Sequence, residues 1–278
     1  MAEVIISLDQ GTTSSRALAF AASGRVCGAS QQEFQQHFPQ DGWVEHDAEV
    51  IWQTTQSTCR AVLATIKEQG DAVIGLAIAN QRETLVVWDR KTGTPIYNAI
   101  VWQDRRTADM CDALRPAHED MFRAKTGLLL DPYFSMSKLS WILDNVPNAR
   151  ARAEAGALMF GTIECWLLFN LTSGVSHITD ITNAARTGLF NIHTHEWDDD
   201  LLRLFNIPPS LLPQVADNIA DFGTSTEQAI GMCIPICAMA GDQQAAALGQ
   251  ACFAPAMVKS TYGTGCFLLA HTGSQAVL

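Results

Sequence analysis

Basic residues are scarce in this 278-residue sequence: 18 Lys and Arg stand against 29 Asp and Glu, for a formal net charge of -11. Nucleic-acid binding draws most of its affinity from clustered cations on phosphates, so a general polyanion-binding surface is excluded and any anion site must be local. No apolar run is long enough for a membrane span; the most apolar stretch, residues 157–169, is too short and carries Glu164 at its middle. The eight cysteines include no C-x-x-C pair and fall mostly inside apolar stretches, which is the pattern of reduced core thiols in a cytoplasmic protein. The first residues offer no basic leader followed by an apolar segment and cleavage site, so no secretory signal is expected. A G-x-x-x-x-G-K-[ST] loop is missing, which excludes a Walker-type nucleotide site. Low-complexity linkers are missing too.

What remains is the composition of a packed globular protein, 47% hydrophobic and 17% charged, long enough for one large domain or two ordinary ones. The apolar runs Val4–Leu8 and Ser15–Phe20 have the length and weight of buried strands and flank a short turn. Asp47 precedes a helical repeat of apolar positions, Ile51, Cys59, Val62, Leu63 and Ile66, that Gly70 ends. Buried strands are predicted at Val73–Ala79 and Leu85–Trp88, with a turn at Lys91-Thr92-Gly93, and at Ile234–Ala240, before an Ala-rich helix over Gln243–Gly249. Residues 256–270 then repeat the opening plan of strand, turn and strand around Gly263-Thr264-Gly265, an internal echo of related halves. Strands alternating with helices indicate an α/β protein, in which polar residues at strand ends gather in a ligand crevice. The boundary between halves is expected around Gly249–Pro255, which leaves too few residues after it for a core, so the sequence reads as cut.

The first turn, Gly11-Thr12-Thr13-Ser14, presents backbone N–H groups and small hydroxyls, the chemistry of a phosphate cradle or of a plain solvated hairpin. Asp9 before it suits a hydrated Mg²⁺, and Arg16 after it suits a phosphoryl oxygen. Arg82-Glu83, beyond a buried strand, fits a structural ion pair or a set of donors and acceptors for a polyol. Trp102 and Tyr133 fit a ligand wall or the core. Asp242 ends an apolar strand, where it serves either as a helix N-cap or as a general base for a substrate hydroxyl. Two other patterns are set aside. Ser135-x-x-Lys138 and Lys91-Thr92-Gly93 match a penicillin-binding signature in the wrong order and without its S-D-N, and His193-x-His195 has no third zinc ligand at a recognised spacing.

Taken together, LDQGTTSSR (8–16), GWVEHD (42–47), NQRET (80–84), PIYNAIVWQ (95–103), DPYF (131–134), FNIHT (190–194), AGDQQA (240–245) and TYGTGCF (261–267) resemble the FGGY family of carbohydrate kinases, most of all its glycerol-phosphorylating members. The resemblance runs from end to end of the chain. It implies an actin-like, ribonuclease H-like ATPase fold, a mixed sheet flanked by helices: residues 1–250 would form the N-terminal domain and 251–278 only the start of a second, nucleotide-binding domain. It implies transfer of the ATP γ-phosphoryl group to a terminal hydroxyl of glycerol, with Mg²⁺. Carried over by motif, Arg82, Glu83, Tyr133, Asp242 and Gln243 would bond the three hydroxyls, Trp102 and Phe267 would pack on the carbons, and Asp242 would be the base. Asp9 would help place Mg²⁺, while Thr12, Thr13, Ser14, Arg16 and Thr264 would meet phosphates. The bulky aromatics favour a three-carbon substrate over a larger polyol or ketose, and the two acids Asp9 and Asp242 argue against a non-catalytic actin-like binding protein.

Two departures stand out. Members inhibited by fructose 1,6-bisphosphate carry a Gly- and Arg-rich loop where this chain has Gln228–Pro235, with one glycine and no arginine, so such feedback is not expected. Family members are also much longer, so this chain by itself is expected to be nearly inactive. Members commonly assemble as dimers or tetramers, which makes a homo-oligomer an open expectation.

Overall fold

The computed structural model describes residues 2–277. The chain opens with an antiparallel meander of β1 (Glu3–Gln10), β2 (Ser14–Ala21) and β3 (Val26–Glu33). After the two-residue β4 (Glu45–His46), helix α1 (Ala48–Gln69) crosses back and β5 (Ala72–Asn80) pairs parallel with β1. The α1 signals act as the sequence implies: Asp47 accepts from the Glu49 and Val50 amides at 2.9 and 3.4 Å, and Gly70 closes the helix at φ 74°, a conformation that glycine adopts without strain. Ile51, Cys59, Val62 and Ile66 project from one face of α1 onto Val4, Ile6 and Leu8, the buried alternate positions of β1.

Strands β6 (Leu85–Asp89) and β7 (Ala99–Ile100) follow, then helices α2 (Ala108–Thr126), α3 (Ser135–Asn145) and α4 (Ala149–Glu154), strand β8 (Leu158–Thr162), helix α5 (Ile163–Leu171), strand β9 (Ile178–Asp180) and helix α6 (Ile181–Ala184). The apolar stretch 157–169 is therefore a strand passing directly into a helix, and Glu164 lies fully buried at their junction. Short elements come next: β10 (Phe190–Asn191), β11 (Glu196–Trp197), α7 (Asp199–Leu204), β12 (Gln214–Ala216) and α8 (Glu227–Ile230). The chain then enters β13 (Ile236–Gly241), α9 (Asp242–Gly249) and the hairpin β14 (Val258–Tyr262) and β15 (Cys266–Ala270).

The main sheet has the order β13-β5-β1-β2-β3, three parallel strands extended by an antiparallel meander, and a second sheet has the order β4-β7-β6-β8. One core lies between the main sheet, α1 and α5; the other lies under the second sheet, with Phe122, Met136, Leu139 and Phe160 at its centre. No helix among the described residues is long and apolar enough to cross a membrane. Replacing the cap residue, Asp47→Ala, should lower stability by about 1 kcal/mol, the usual worth of an N-cap; an unchanged melting temperature would show that the cap of α1 contributes nothing.

Candidate active site

Parallel pairing fixes where the site lies. Gln10, Asn80 and Gly241 stand side by side at the ends of β1, β5 and β13, and the residues just beyond open into a crevice at the C-terminal edge of these strands. This cleft has a volume of about 330 Å³, and all thirteen residues singled out from the sequence line it. Asp9, Thr12, Thr13, Ser14 and Arg16 come from the first hairpin, Arg82 and Glu83 from the segment after β5, and Asp242 and Gln243 from the start of α9. Trp102 and Tyr133 form a side wall, and Phe267 and Thr264 enter from the last hairpin.

The first turn is closed by the Gly11 amide donating to the Ser14 carbonyl at 2.9 Å. Its hydroxyls do not all serve the cleft. Thr12 accepts from the Trp102 indole at 3.0 Å, Ser14 accepts from Gln31 at 2.9 Å, and Ser15 is turned into the core against Thr54, as strand alternation requires. Asp9 and Arg16 are register partners across the hairpin and pair at 3.7 Å. Trp102 meets Tyr133 edge-on at 5.6 Å and Phe267 at 5.9 Å, so three rings from three segments enclose one end of the cleft.

Arg82 and Glu83 pair only loosely, with their charged atoms 4.0 Å apart. Arg82 reaches Asp242 at 3.4 Å and Gln244 at 3.3 Å, while Glu83 receives the Arg186 guanidinium at 2.6 Å. The backbone separates them: Glu83 sits at φ 63°, and the Thr84 amide donates to the Arg82 carbonyl at 2.7 Å across it, which makes a tight γ-turn. A non-glycine residue held there costs on the order of 1–3 kcal/mol, and such strain clusters where a side chain must be aimed. Gly241 is needed for a different reason, since a Cβ there would meet Arg82 Cγ and Cδ at 2.7 Å.

Asp242 is not the N-cap of α9; Gly241 holds that position, and Asp242 is the first helical residue. Its Oδ1 is buried without a hydrogen bond, although the carboxylate as a whole is 34% exposed. The Ser135-x-x-Lys138 pattern also finds its explanation. Ser135 donates to the Glu83 carbonyl at 2.8 Å, and the fully buried Lys138 donates to the carbonyls of Pro132, Tyr133 and Phe134, holding the turn that carries Tyr133. His193 bonds the Ala124 carbonyl, and no cluster of three metal-ligating acidic, His or Cys side chains exists among the described residues. Sequence reasoning missed Arg186 and Lys259. Lys259 is buried and donates to Gln243 and, at 2.7 Å, to Thr261, both cleft residues.

Residues 4–249 match the model of the FGGY family of carbohydrate kinases, N-terminal domain. The chain belongs to the FGGY family of carbohydrate kinases. It is 60% identical over 270 residues to a glycerol kinase of Alcanivorax borkumensis, covering 97% of this chain and 54% of that one. It is 58% identical over its whole length to glycerol kinase 1 of Pseudomonas aeruginosa, of which it covers 56%. The chain thus spans about half the length of the curated relatives it matches. Among solved structures it is similar to Plasmodium falciparum glycerol kinase, solved with ADP, at a TM-score of 0.93 and 36% identity over 97% of this chain and 54% of that one. A sugar kinase from Brucella ovis shares the fold at a TM-score of 0.87 and 23% identity, covering 97% and 55%. The fold is the actin-like ATPase fold, with the mixed sheet and flanking helices expected from the sequence.

The electrostatics of this FGGY cleft centre on Asp242. Burial raises its pKa to about 6, against the pull of Arg82, and nearby Glu83 and Asp9 add to the rise. Burial likewise raises Asp9, with Arg16 opposing, and lifts the Tyr133 phenol to about 12. Because the fold favours protonated Asp242, the stability this group contributes is complete below its ordinary value of 3.8 and is lost as the pH rises through about 6. Asp242→Asn should therefore melt at a higher temperature than the parent at pH 7 and at the same temperature below pH 4; equal melting temperatures at both pH values would show that the carboxylate sits there without cost. Gly241→Ala should displace Arg82 and lengthen its 3.4 Å contact with Asp242 in a crystal structure; an unmoved Arg82 would show that the close approach is not needed.

Proposed function

We propose that the chain is the polyol-binding half of an ATP-dependent glycerol kinase, with residues 1–250 as the polyol and phosphate wall and 251–278 as the start of a nucleotide-binding domain. The observation that carries this reading is the joining, in one cleft, of an aromatic-walled polar pocket, a turn rich in N–H groups and hydroxyls, and a half-buried carboxylate with its pKa raised. The glycerol kinases at 58–60% identity support the substrate. Trp102 and Phe267 would cover the carbons of glycerol and exclude water, while Arg82, Glu83, Tyr133 and Gln243 would bond its hydroxyls. Asp242 would take the proton from the terminal hydroxyl as that oxygen attacks the γ-phosphorus of ATP and the bond to the bridging oxygen breaks, leaving ADP. Thr12, Thr13, Ser14, Arg16 and Thr264 would hold the phosphates.

Magnesium fits this cleft as an ion carried by the nucleotide. Asp9 supplies one carboxylate, and the described residues hold no ready protein cage, which suits an ion that keeps its waters and binds phosphates. Bound there, it supplies charge neutralisation on the phosphoryl oxygens. The eight free thiols suit a cytoplasmic site of action.

Loose phosphoryl transfer depends more on alignment than on the base, yet general-base loss still costs about a hundredfold or more. In the longer form whose second wall completes the cleft, Asp242→Asn should lower kcat by that order and leave weakened glycerol binding. Turnover of the parent should fall as the pH drops through about 6, where Asp242 takes up its proton. Undiminished turnover in the variant would remove Asp242 as the base, and faster phosphorylation of a longer polyol or a ketose would change the substrate assigned.

A further inference from the structure

Glu83 is a tightly constrained residue of the cleft: it is 1% exposed and it stands on a left-handed γ-turn. Two groups from other parts of the chain grip it. Ser135 Oγ, at the start of α3, donates to its carbonyl at 2.8 Å, and Arg186 Nε, just beyond α6, donates to its Oε1 at 2.6 Å. The Arg186 guanidinium is itself fixed over the Phe134 and Tyr133 rings at 4.9 and 5.7 Å, a cation–π contact that aligns the plane of the donor. Arg82 reaches the same oxygen only at 4.0 Å. The other oxygen, Oε2, accepts no hydrogen bond among the described residues, although Glu83 lines the cleft.

We infer that Arg186 is a positioning residue that sets substrate specificity: by occupying Oε1 it turns Oε2 toward the polyol as the acceptor for a hydroxyl. This inference rests on the reading of the cleft as a polyol site. It follows from how acceptors discriminate. A carboxylate oxygen that faces the cleft, is aimed and is otherwise unpaired binds a hydroxyl and is left unsatisfied by an analogue that lacks it, whereas a carboxylate free to rotate finds another partner and tolerates the analogue. Burial alone cannot do this, because a carboxylate rotates without changing its burial. The Arg186 guanidinium, held by two rings and bonded through Nε to Oε1, removes that freedom.

The test compares the parent with Arg186→Leu and Arg186→Lys by isothermal titration of glycerol, propane-1,2-diol and propane-1,3-diol. Circular dichroism melts serve as the control for folding, and unliganded crystal structures of all three are solved. Arg186→Leu should lose the preference for glycerol over the diol that lacks the Glu83-bound hydroxyl by on the order of tenfold or more, and its Glu83 carboxylate should rotate. Arg186→Lys, which retains the charge without the planar guanidinium held over the rings, should recover part of both. Glycerol binding with unchanged preference in a folded Arg186→Leu, or an unmoved Glu83 carboxylate in its structure, overturns the inference. A parent that binds no polyol sinks the reading of the site instead, and the crystal structures then still decide whether Arg186 aims Glu83.

Discussion

The cleft depends on a buried network of hydrogen bonds around Asn80. The Asn80 amide donates to Glu164 at 2.9 Å and to Asn183 at 3.0 Å, and Asn183 returns a bond to Asn80 and donates to Asp180 at 2.6 Å. Thr162 and Thr179 donate to Glu164, Thr182 donates to Asp180, and the Gly241 amide donates to Thr182 at 3.0 Å. The two carboxyls are fully buried; burial raises both pKa values, and the Asp180 charge adds to the rise at Glu164. Such a network is costly when incomplete and rigid when satisfied. It ties the ends of β5 and β13 to the strand–helix junction at Glu164, and on those two ends stand Arg82 and Asp242.

Much of this fold is legible in the sequence because local signals and burial agree. Asp47 and Gly70 bound α1 in the sequence and in the structure, and the apolar runs of β1, β5 and β13 fall on the sheet they suggest. The second sheet is less legible. β4 and β7 have two residues each and no periodicity, and the 157–169 stretch passes from strand into helix at Gly161-Thr162, where the Thr162 side chain makes no capping bond. Apolar weight reports burial, and it does not report which element is buried.

The candidate cleft divides in the same way. Residues beside a strand end or inside a short motif, such as Asp242 and Thr12, can be read from the sequence, because position along a strand fixes position in the crevice. Arg186 and Lys259 cannot. Each acts through contacts with residues 103 and 16 positions away, Arg186 on Glu83 and Lys259 on Gln243, and no spacing rule encodes such pairs. The adjacency of Arg82 and Glu83 tells only part of the arrangement: they pair loosely, and the left-handed turn at Glu83 brings each closer to a different partner.

The first hairpin has a mechanical consequence. β1 is paired along both edges, with β2 on one side and β5 on the other, and β2 is backed in turn by β3. To move the Gly11–Ser14 turn as a unit would tear an interior strand from its neighbours, so this wall behaves as an anvil. Among the described residues the β14–β15 hairpin pairs only with itself, and it meets the rest of the cleft through side chains such as Lys259 and Phe267. Whatever compliance the cleft has when a ligand enters is therefore borne by its last-built edge.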